Sequence, residues 1–456
     1  MTMLYMFYTM LTSVTSRLVN NMSKHMMLVA SGLMAMPTLY DWSDMDVYYT
    51  TDGMADMLML LTAYLMPLSM MSNWNNMSNM LYFELVLNLG MMLLMNFMCQ
   101  DMTSFYVYFE ASLAPLFMMM GLYGASNKDK AADYMLIYTL FSSLFMLLAM
   151  ALYEVILDNT DYQATNLLVL SMDMQCILFM AMFMGMAVKT PLAPVHTWLP
   201  VVHSESPLAG SILLAGVILK LAVYAIIRLM LPTLSDATML YTPLIYVLCV
   251  MTIMYTSMMT LRQTDLKVIM AYSSISHMAV CMLGILSNTV TGITGSLLLS
   301  IAHGFVSPGL FIIVGGILYD RYHNRLMHYF QGLISFMPWL SVYLMILSFC
   351  NVGTPLSMNF IGELLSLTGA INKSPMLGSL AAISVLLSAS YQMKLTNRLT
   401  GGVKTPYISL TADCTYRETF LMWLLIMPTL FLGMLPSYAI DFMWESSSLL
   451  YMFVLL

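Results

Sequence analysis

Apolar runs of about twenty residues recur along the whole chain, each long enough to cross a bilayer core as a helix. Hydrocarbon offers no partner to a backbone N–H or C=O, so each run has to satisfy its own backbone by coiling continuously. That constraint predicts an all-α membrane protein of about fourteen spans. They are read near 2–19, 25–40, 54–72, 80–99, 103–123, 133–157, 174–199, 207–230, 239–261, 266–286, 291–319, 333–372, 377–395 and 418–436. Residues 438–456 are apolar but interrupted by Asp441 and Glu445, which suits a tail at the membrane interface. With 60% hydrophobic and 9% charged residues a water-soluble domain is excluded, and no stretch reads as a linker.

The charges sort by side. Connections after the first, fifth, ninth, eleventh and thirteenth spans carry Arg17, Lys24, Lys128, Lys130, Arg262, Lys267, Arg321, Arg325, Lys394, Arg398, Lys404 and Arg417. The opposite connections hold Lys373 and Arg228 beside Asp158, Asp161, Asp173 and Asp236. The positive-inside rule then turns both termini toward the outer compartment. The first run is followed by Asn20, Asn21 and Lys24, not by a small-residue cleavage site, and is expected to remain a span. The 55 methionines exceed what packing demands and point to a genetic code that reads an isoleucine codon as methionine, as many mitochondrial genomes do. Cys99, Cys176, Cys249, Cys281, Cys350 and Cys414 are scattered, without CxxC or Cys/His ligand spacing, and read as small apolar residues. No iron–sulfur cluster, zinc or haem is expected in this chain.

Four charged residues fall inside the apolar runs: Glu110, Lys189, Lys220 and Glu363. A charge at mid-bilayer depth costs about 3 kcal/mol or more, so two acids and two amines on four spans imply a buried row of proton-exchanging groups. A dry interior favours the neutral forms, and a nearby opposite charge restores the ions, so a Glu–Lys pair works as a switch. Glu110 and Lys189 are the expected pair, and Lys220 is expected to exchange protons with Glu363. His277 and His303 supply intervening steps, because imidazole both donates and accepts near neutral pH. The alternative for each is a hydrogen-bonded packing residue. Ser273, Ser274 and Ser276 offer places for water beside His277. His196 and His203 follow a break in the seventh span, near its inner mouth. Lys267 opens the tenth span, where snorkelling and proton uptake are alternative roles. Glu84 reads as structural, and His323 and His328 as solvated loop residues.

Val188-Lys189-Thr190-Pro191-Leu192 and Val352-Gly353-Thr354-Pro355-Leu356 lie five spans apart. An odd offset reverses the direction of crossing, as in an inverted five-span repeat, with a chance echo as the alternative. Proline lacks an N–H and clashes with the carbonyl four residues back. Pro191 and Pro194 are expected to free the carbonyls of Ala187 and Thr190 around Lys189. Pro115 would free that of Ala111 beside Glu110, and Pro308 that of Gly304 beside His303. Three times an opened turn, a natural seat for water, adjoins an ionisable side chain.

Several of these segments resemble one family. Phe109-Glu110-Ala111-Ser112-Leu113-Ala114-Pro115 is similar to the fifth-span motif of the antiporter-like subunits of respiratory complex I. Lys189-Thr190-Pro191-Leu192 through His196-Thr197-Trp198-Leu199-Pro200 and His203-Ser204-Glu205-Ser206-Pro207 resembles their seventh-span signature. Leu219-Lys220, Arg262-Gln263-Thr264-Asp265-Leu266-Lys267, Ala271-Tyr272-Ser273-Ser274-Ile275-Ser276-His277-Met278, Ala302-His303-Gly304 and Phe360-Ile361-Gly362-Glu363 extend the likeness over about 80–380. A glutamate at 363, where paralogues carry lysine, and the lack of a long C-terminal lateral helix point to one branch of the family. Ser204 and Ser206 depart from the small apolar residues usual there, as do the methionine-rich first eighty residues.

The resemblance implies fourteen spans with inverted repeats over spans 4–8 and 9–13. The chain then divides into 1–79 (spans 1–3), 80–230 and 239–395 (the repeats) and 396–456. The same resemblance implies a Glu110–Lys189 coupling pair, Lys220 as central proton carrier, His277 and His303 as linkers and Glu363 as the terminal residue. FMN, iron–sulfur clusters, NADH and ubiquinone would belong to partner subunits, and the neighbours would be other membrane subunits, especially antiporter-like subunits 2 and 5, and lipid. The setting implied is the mitochondrial inner membrane. Two alternatives stay open: a subunit of a multisubunit cation/proton antiporter, and a scaffold whose charges are inert ion pairs.

Overall fold

Four of the described helices begin with a side chain that satisfies a first free amide. The computed structural model describes residues 31–32, 52–74, 80–157, 160–166 and 170–455. In chain order the helices are α1 (Gly53–Ser72), α2 (Met80–Met98), α3 (Met102–Tyr123), α4 (Lys128–Leu157), the short α5 (Tyr162–Asn166) and α6 (Met172–Lys189). Next come α7 (Trp198–Glu205), α8 (Leu208–Thr233), α9 (Ser235–Arg262), α10 (Leu266–Ile285) and α11 (Val290–Tyr322). The chain closes with α12 (Pro338–Val352), α13 (Met358–Lys373), α14 (Pro375–Thr400), α15 (Tyr416–Met434) and α16 (Ser437–Leu455). Asp265 caps α10 by accepting from Lys267 N, Thr289 caps α11, and Thr415 with Glu418 forms a capping box on α15. Pro338 and Pro375 stand in the first turn of their helices, where the missing N–H costs nothing. Asp413 reaches across from a loop and accepts from the Trp339 and Leu340 amides at 2.8 and 3.2 Å.

Among the described residues there is no strand, and 11 helical stretches are long and apolar enough to cross a membrane. The spans expected at 54–72, 80–99, 103–123, 133–157, 207–230, 239–261, 266–286, 291–319, 377–395 and 418–436 each have a helix at their place. The spans expected at 2–19 and 25–40 lie outside the described residues, save 31 and 32. The runs 174–199 and 333–372 are each broken in two, α6 with α7 and α12 with α13. Both breaks contain the proline of the repeated motif, and the second adds Gly353 and Leu356 with left-handed backbones (φ 77° and 78°). The tail forms α16, which packs on α1 and α11 and buries Ala439, Met443 and Ser447.

Burial runs opposite to that of a soluble protein at the rim. α8, α10 and α11 are almost wholly enclosed, whereas α4, α9, α14 and α15 turn Phe141, Leu148, Met251, Leu386, Met427 and Phe431 outward. Such a surface suits lipid or apolar neighbours. Buried hydroxyls are satisfied within their own helices, as in Ser69 to Met66 O (2.7 Å), Ser211 to Leu208 O (2.8 Å) and Thr256 to Thr252 O (2.7 Å). Small residues set the closest crossings. A Cβ at Gly304 of α11 would sit 3.1 Å from the carbonyl oxygen of Gly216 in α8, and one at Gly362 of α13 would sit 2.6 Å from the amide nitrogen of Leu299. These crossings hold α8, α11 and α13 nearly backbone to backbone.

At one end of the bundle, the link before α3 pairs with the link before α5. Met102 N donates to Thr160 O and Tyr162 N to Gln100 O, each at 3.0 Å, which brings Asp101 against Asp161. Burial, then the hydrogen bond and charge of Asp161, push the Asp101 carboxyl up to about 6. A folded value above the ordinary one means that this contact is strongest while the proton is held and weakens as pH rises through about 6. Asp101→Asn keeps a donor at every pH. It should therefore flatten the loss of thermal stability of the solubilised protein between about pH 4 and pH 6. A variant that keeps the parental pH dependence would place the responsible proton elsewhere.

Candidate functional site

The first pair forms where α3 is interrupted. Ser112, three residues before Pro115, breaks the helical run between Ala111 and Leu113, and its hydroxyl donates to the Phe109 carbonyl at 2.9 Å. Lys189, the last residue of α6, donates to that carbonyl at 3.0 Å and lies 3.4 Å from Glu110 Oε1. Its ammonium also sits over the Phe109 ring, 3.0 Å from the centroid. The lysine is 2% exposed and the glutamate 18%, so the acid of the pair lies toward the bundle surface.

Prolines shape the turn after Lys189, but the outcome differs from expectation. The Ala187 carbonyl is not left for water: it accepts from the Leu192 amide, five residues on, at 2.9 Å. The Val188 carbonyl accepts from the Trp198 indole at 2.9 Å, and the Met186 carbonyl from both the amide and hydroxyl of Thr190. The break is thus closed largely by protein groups, with a cis bond between Ala193 and Pro194. Nothing in local spacing announced that Trp198 would fold back.

Lys220 lies in α8 just after a π-helical turn over Leu214–Ile218. A π turn widens the ladder by one residue, and here Lys220 Nζ donates to the Ala215 carbonyl. The same ammonium is 3.0 Å from His303 Nδ1 on α11, a meeting allowed by the Gly216–Gly304 crossing. Ser307 donates to the His303 carbonyl at 2.7 Å and fixes the turn beneath the ring. On α10, His277 Nδ1 stands 3.1 Å from Glu363 Oε1, and the His277 and His303 ring centroids are 5.7 Å apart. Lys220, His303, His277 and Glu363 therefore form a buried row through α8, α11, α10 and α13, hydrogen-bonded in two pairs whose imidazoles face each other. Each imidazole turns Nδ1 to a charged partner and keeps Nε2 buried without a protein hydrogen bond. Gly353 seats the end of that line: its backbone is left-handed, and a Cβ there would come within 2.8 Å of Glu363 Oε2. Lys220 and Glu363 do not touch, and among the described residues no direct hydrogen bond joins the Glu110–Lys189 pair to the line.

The remaining candidates separate. Lys267 does not snorkel: it is 6% exposed and donates to Ser206 O at 3.1 Å, facing inward. His203, left at the mouth by the sequence reading, stacks on Phe311 with ring centroids 4.6 Å apart, and both its nitrogens lack a protein partner. Lys267 and Lys220 are its charged neighbours, so it stands between the basic end of the bundle and the buried line. His196 packs against Tyr255 and Tyr272, away from the line. Glu205 lies 3.5 Å from Arg325 and accepts from Asn127 N at 2.9 Å, closing the mouth beside Lys267. Ser273, Ser274 and Ser276 spend their protons on carbonyls three residues back, leaving only oxygen lone pairs for water. Glu84 is half-buried, and His323 and His328 are exposed. Among the described residues no cluster of His, Cys, Asp or Glu is arranged to hold a metal ion.

With this geometry in place, comparisons with known proteins identify the lineage. Residues 99–388 match the family described as NADH:quinone oxidoreductase/Mrp antiporter, transmembrane. The chain is 79% identical over 454 residues to NADH-ubiquinone oxidoreductase chain 4 of Debaryomyces hansenii, covering 100% of this chain and 97% of that one. Against the chain 4 of Candida albicans identity is 68%, covering 100% and 98%. A subunit of respiratory complex I from Thermus thermophilus superposes with a TM-score of 0.90 at 26% identity, over 100% of both chains. A subunit of the Mrp complex from Dietzia shares the fold, with a TM-score of 0.85 at 15% identity over 98% and 97% of the two chains. The chain belongs to the family of antiporter-like membrane subunits of NADH:quinone oxidoreductases and Mrp antiporters, on the branch named NADH-ubiquinone oxidoreductase chain 4.

Proposed function

We propose that this chain is a proton-translocating membrane subunit of NADH:ubiquinone reductase, moving protons in response to electron transfer carried out by partner subunits. The observation that carries the reading is the Lys220–His303–His277–Glu363 line, with proton-binding groups at 3.0 and 3.1 Å at its two ends and the two imidazole centroids 5.7 Å apart between them. High identity to two chain 4 subunits favours this reading over a cation/proton antiporter subunit, which shares the fold. The finer picture is fourteen spans with inverted repeats over spans 4–8 and 9–13, within 80–230 and 239–395. Segments 1–79 and 396–456 flank the repeats, and both termini face the intermembrane space. Neighbouring antiporter-like subunits 2 and 5 press on its flanks in the mitochondrial inner membrane, with FMN, iron–sulfur clusters and the NADH and ubiquinone sites in partner chains.

The chemistry follows from charge coupling in a dry interior. Glu110 compensates Lys189, and any movement that separates them leaves an ammonium whose field reaches the neighbouring line. A positive charge brought toward Lys220 favours release of its proton to His303 Nδ1. The ring can pass a proton from its other nitrogen, and His277 delivers one from Nδ1 to the Glu363 carboxylate. Lys267 and His203 connect the line to the basic end of the bundle. His196 has no place in this sequence of steps.

Lys220→Ala removes the central carrier while shortening a side chain that makes only two polar contacts. The complex should assemble, and proton yield per NADH oxidised should fall in reconstituted vesicles; an unchanged yield would reject the carrier role. Glu110→Gln keeps the shape but strips the counter-charge from Lys189, so NADH:quinone activity and pumping should fall together. Glu110→Asp should retain part of both. A glutamine variant as active as the parent would make the pair structural.

A further inference from the structure

At the rim, α1 and α15 enclose a groove of about 540 Å³ whose lining includes Tyr64, Phe420, Trp423, Met427, Phe431 and Leu432 and no charged side chain. A hydrogen bond inside it pins the two helices. Pro428 lacks the N–H that would serve the Leu424 carbonyl, and the Tyr64 hydroxyl of α1 donates to that carbonyl at 2.6 Å. The Tyr64 ring also meets Phe305 of α11 edge-on, with centroids 5.6 Å apart. Leu61 and Leu65, one turn either side of this contact on α1, lie against Gly304 and Gly216. The groove is therefore one helix away from the crossing that seats Lys220, while Phe420, Met427 and Phe431 open it to the outside.

Its length and its surroundings say what fits. From Phe420 to Leu432 the rise is about 18 Å, close to the roughly 15 Å of hydrocarbon in one leaflet and short of a whole bilayer core. One turn before Phe420, Arg417 enters a second cavity, of about 600 Å³, at the basic end of the bundle, with Asp320, Arg321, Thr411, Asp413 and Glu418. Arg321 is committed to the Ala412 and Asp413 carbonyls and to Glu418, and Asp413 to the Trp339 and Leu340 amides. Asp320 and Arg417 supply the other charges of this lining, one of each sign, and are charged neighbours. A guanidinium matches a phosphate, and a carboxylate accepts from an ammonium. A purely anionic headgroup would meet three carboxylates here, whereas one carrying both charges finds a partner for each.

We propose that the groove binds one acyl chain of a phospholipid from the leaflet at the basic end, with its zwitterionic aminophospholipid headgroup in the adjoining cavity, phosphate on Arg417 and primary ammonium on Asp320. The occupant is a lipid and not a neighbour's helix, because a helix crosses both leaflets and would bring an apolar end against the charged cavity. The chain packs on Tyr64 and Pro428 and forms the outer wall of α1 beside the Gly216–Gly304 crossing. The site takes no part in the proton steps and does not depend on them.

The test uses the intact complex in phosphatidylcholine vesicles containing a trace of phosphatidylethanolamine with a photoreactive diazirine on one acyl chain. After irradiation, mass spectrometry should place adducts on the groove residues of α1 and α15 above the level found elsewhere on the rim. Unlabelled phosphatidylethanolamine should displace the groove adduct at about fivefold lower content than phosphatidylglycerol, which lacks the ammonium. Arg417→Gln and Asp320→Asn should each lower that adduct about fivefold and leave the rest of the rim unchanged. Met427→Trp, which fills the groove, should abolish it. Adducts spread evenly over the rim, or displaced equally by both lipids, would overturn the inference in favour of unselective bilayer contact. Parental labelling in Arg417→Gln and Asp320→Asn would overturn the headgroup assignment. A groove that takes no adduct and cross-links to a neighbouring subunit would overturn it in favour of a protein occupant. Where a variant fails to assemble, lipid displacement on the parental complex decides.

Discussion

Everything in the buried line depends on one close crossing, that of α8 over α11 at Gly216 and Gly304. A lysine inside a membrane protein has to reach a partner from a backbone that cannot bend freely, and only a near backbone-to-backbone approach puts Lys220 Nζ 3.0 Å from His303 Nδ1. The π turn at Leu214–Ile218 contributes at the same place, because it presents the Ala215 carbonyl to the ammonium. Without that carbonyl and that imidazole the charge would stand alone in low dielectric, a costly state. The same logic repeats at the far end, where Gly362 lets α13 approach α11 and Gly353 leaves room for the Glu363 carboxylate.

The two parts of the site differ in a way that suits coupling. Glu110 and Lys189 are tied by charge, and the glutamate lies toward the rim, where a neighbour can influence it. The Lys220–Glu363 line is enclosed and ends in titratable groups joined through two imidazoles. A perturbation at the rim therefore has a lysine to act through, and the line has a lysine able to respond. Buried charges of this kind are poor stabilisers compared with apolar packing, which argues that they persist for the transfer they permit and not for the fold.

Much of this was legible in the sequence because hydrophobicity and charge act at single positions. Apolar runs located the helices, and the four intramembrane charges marked the row without any knowledge of contacts. His277 and His303 were singled out because an imidazole inside a span both donates and accepts a proton near neutral pH. What could not be read was whatever depended on another helix. Trp198 closing the carbonyl of Val188, Leu192 capturing that of Ala187, and His203 turning inward onto Phe311 are all tertiary outcomes. The π turn at Leu214–Ile218 carries no proline to announce it, and Lys267, placed at a helix start, gave equal warrant for snorkelling and for proton uptake.

The central claim is that protons pass between His303 and His277, since each ring commits Nδ1 to a charged partner and keeps a buried Nε2 free of protein bonds. A high-resolution map of the intact complex, fine enough to place ordered water, tests this most directly. The account predicts water bonded to Nε2 of His303 and linked, directly or through one further water, to Nε2 of His277. A dry, tightly packed space between the rings, with Lys220 and Glu363 still ordered as found here, would contradict it.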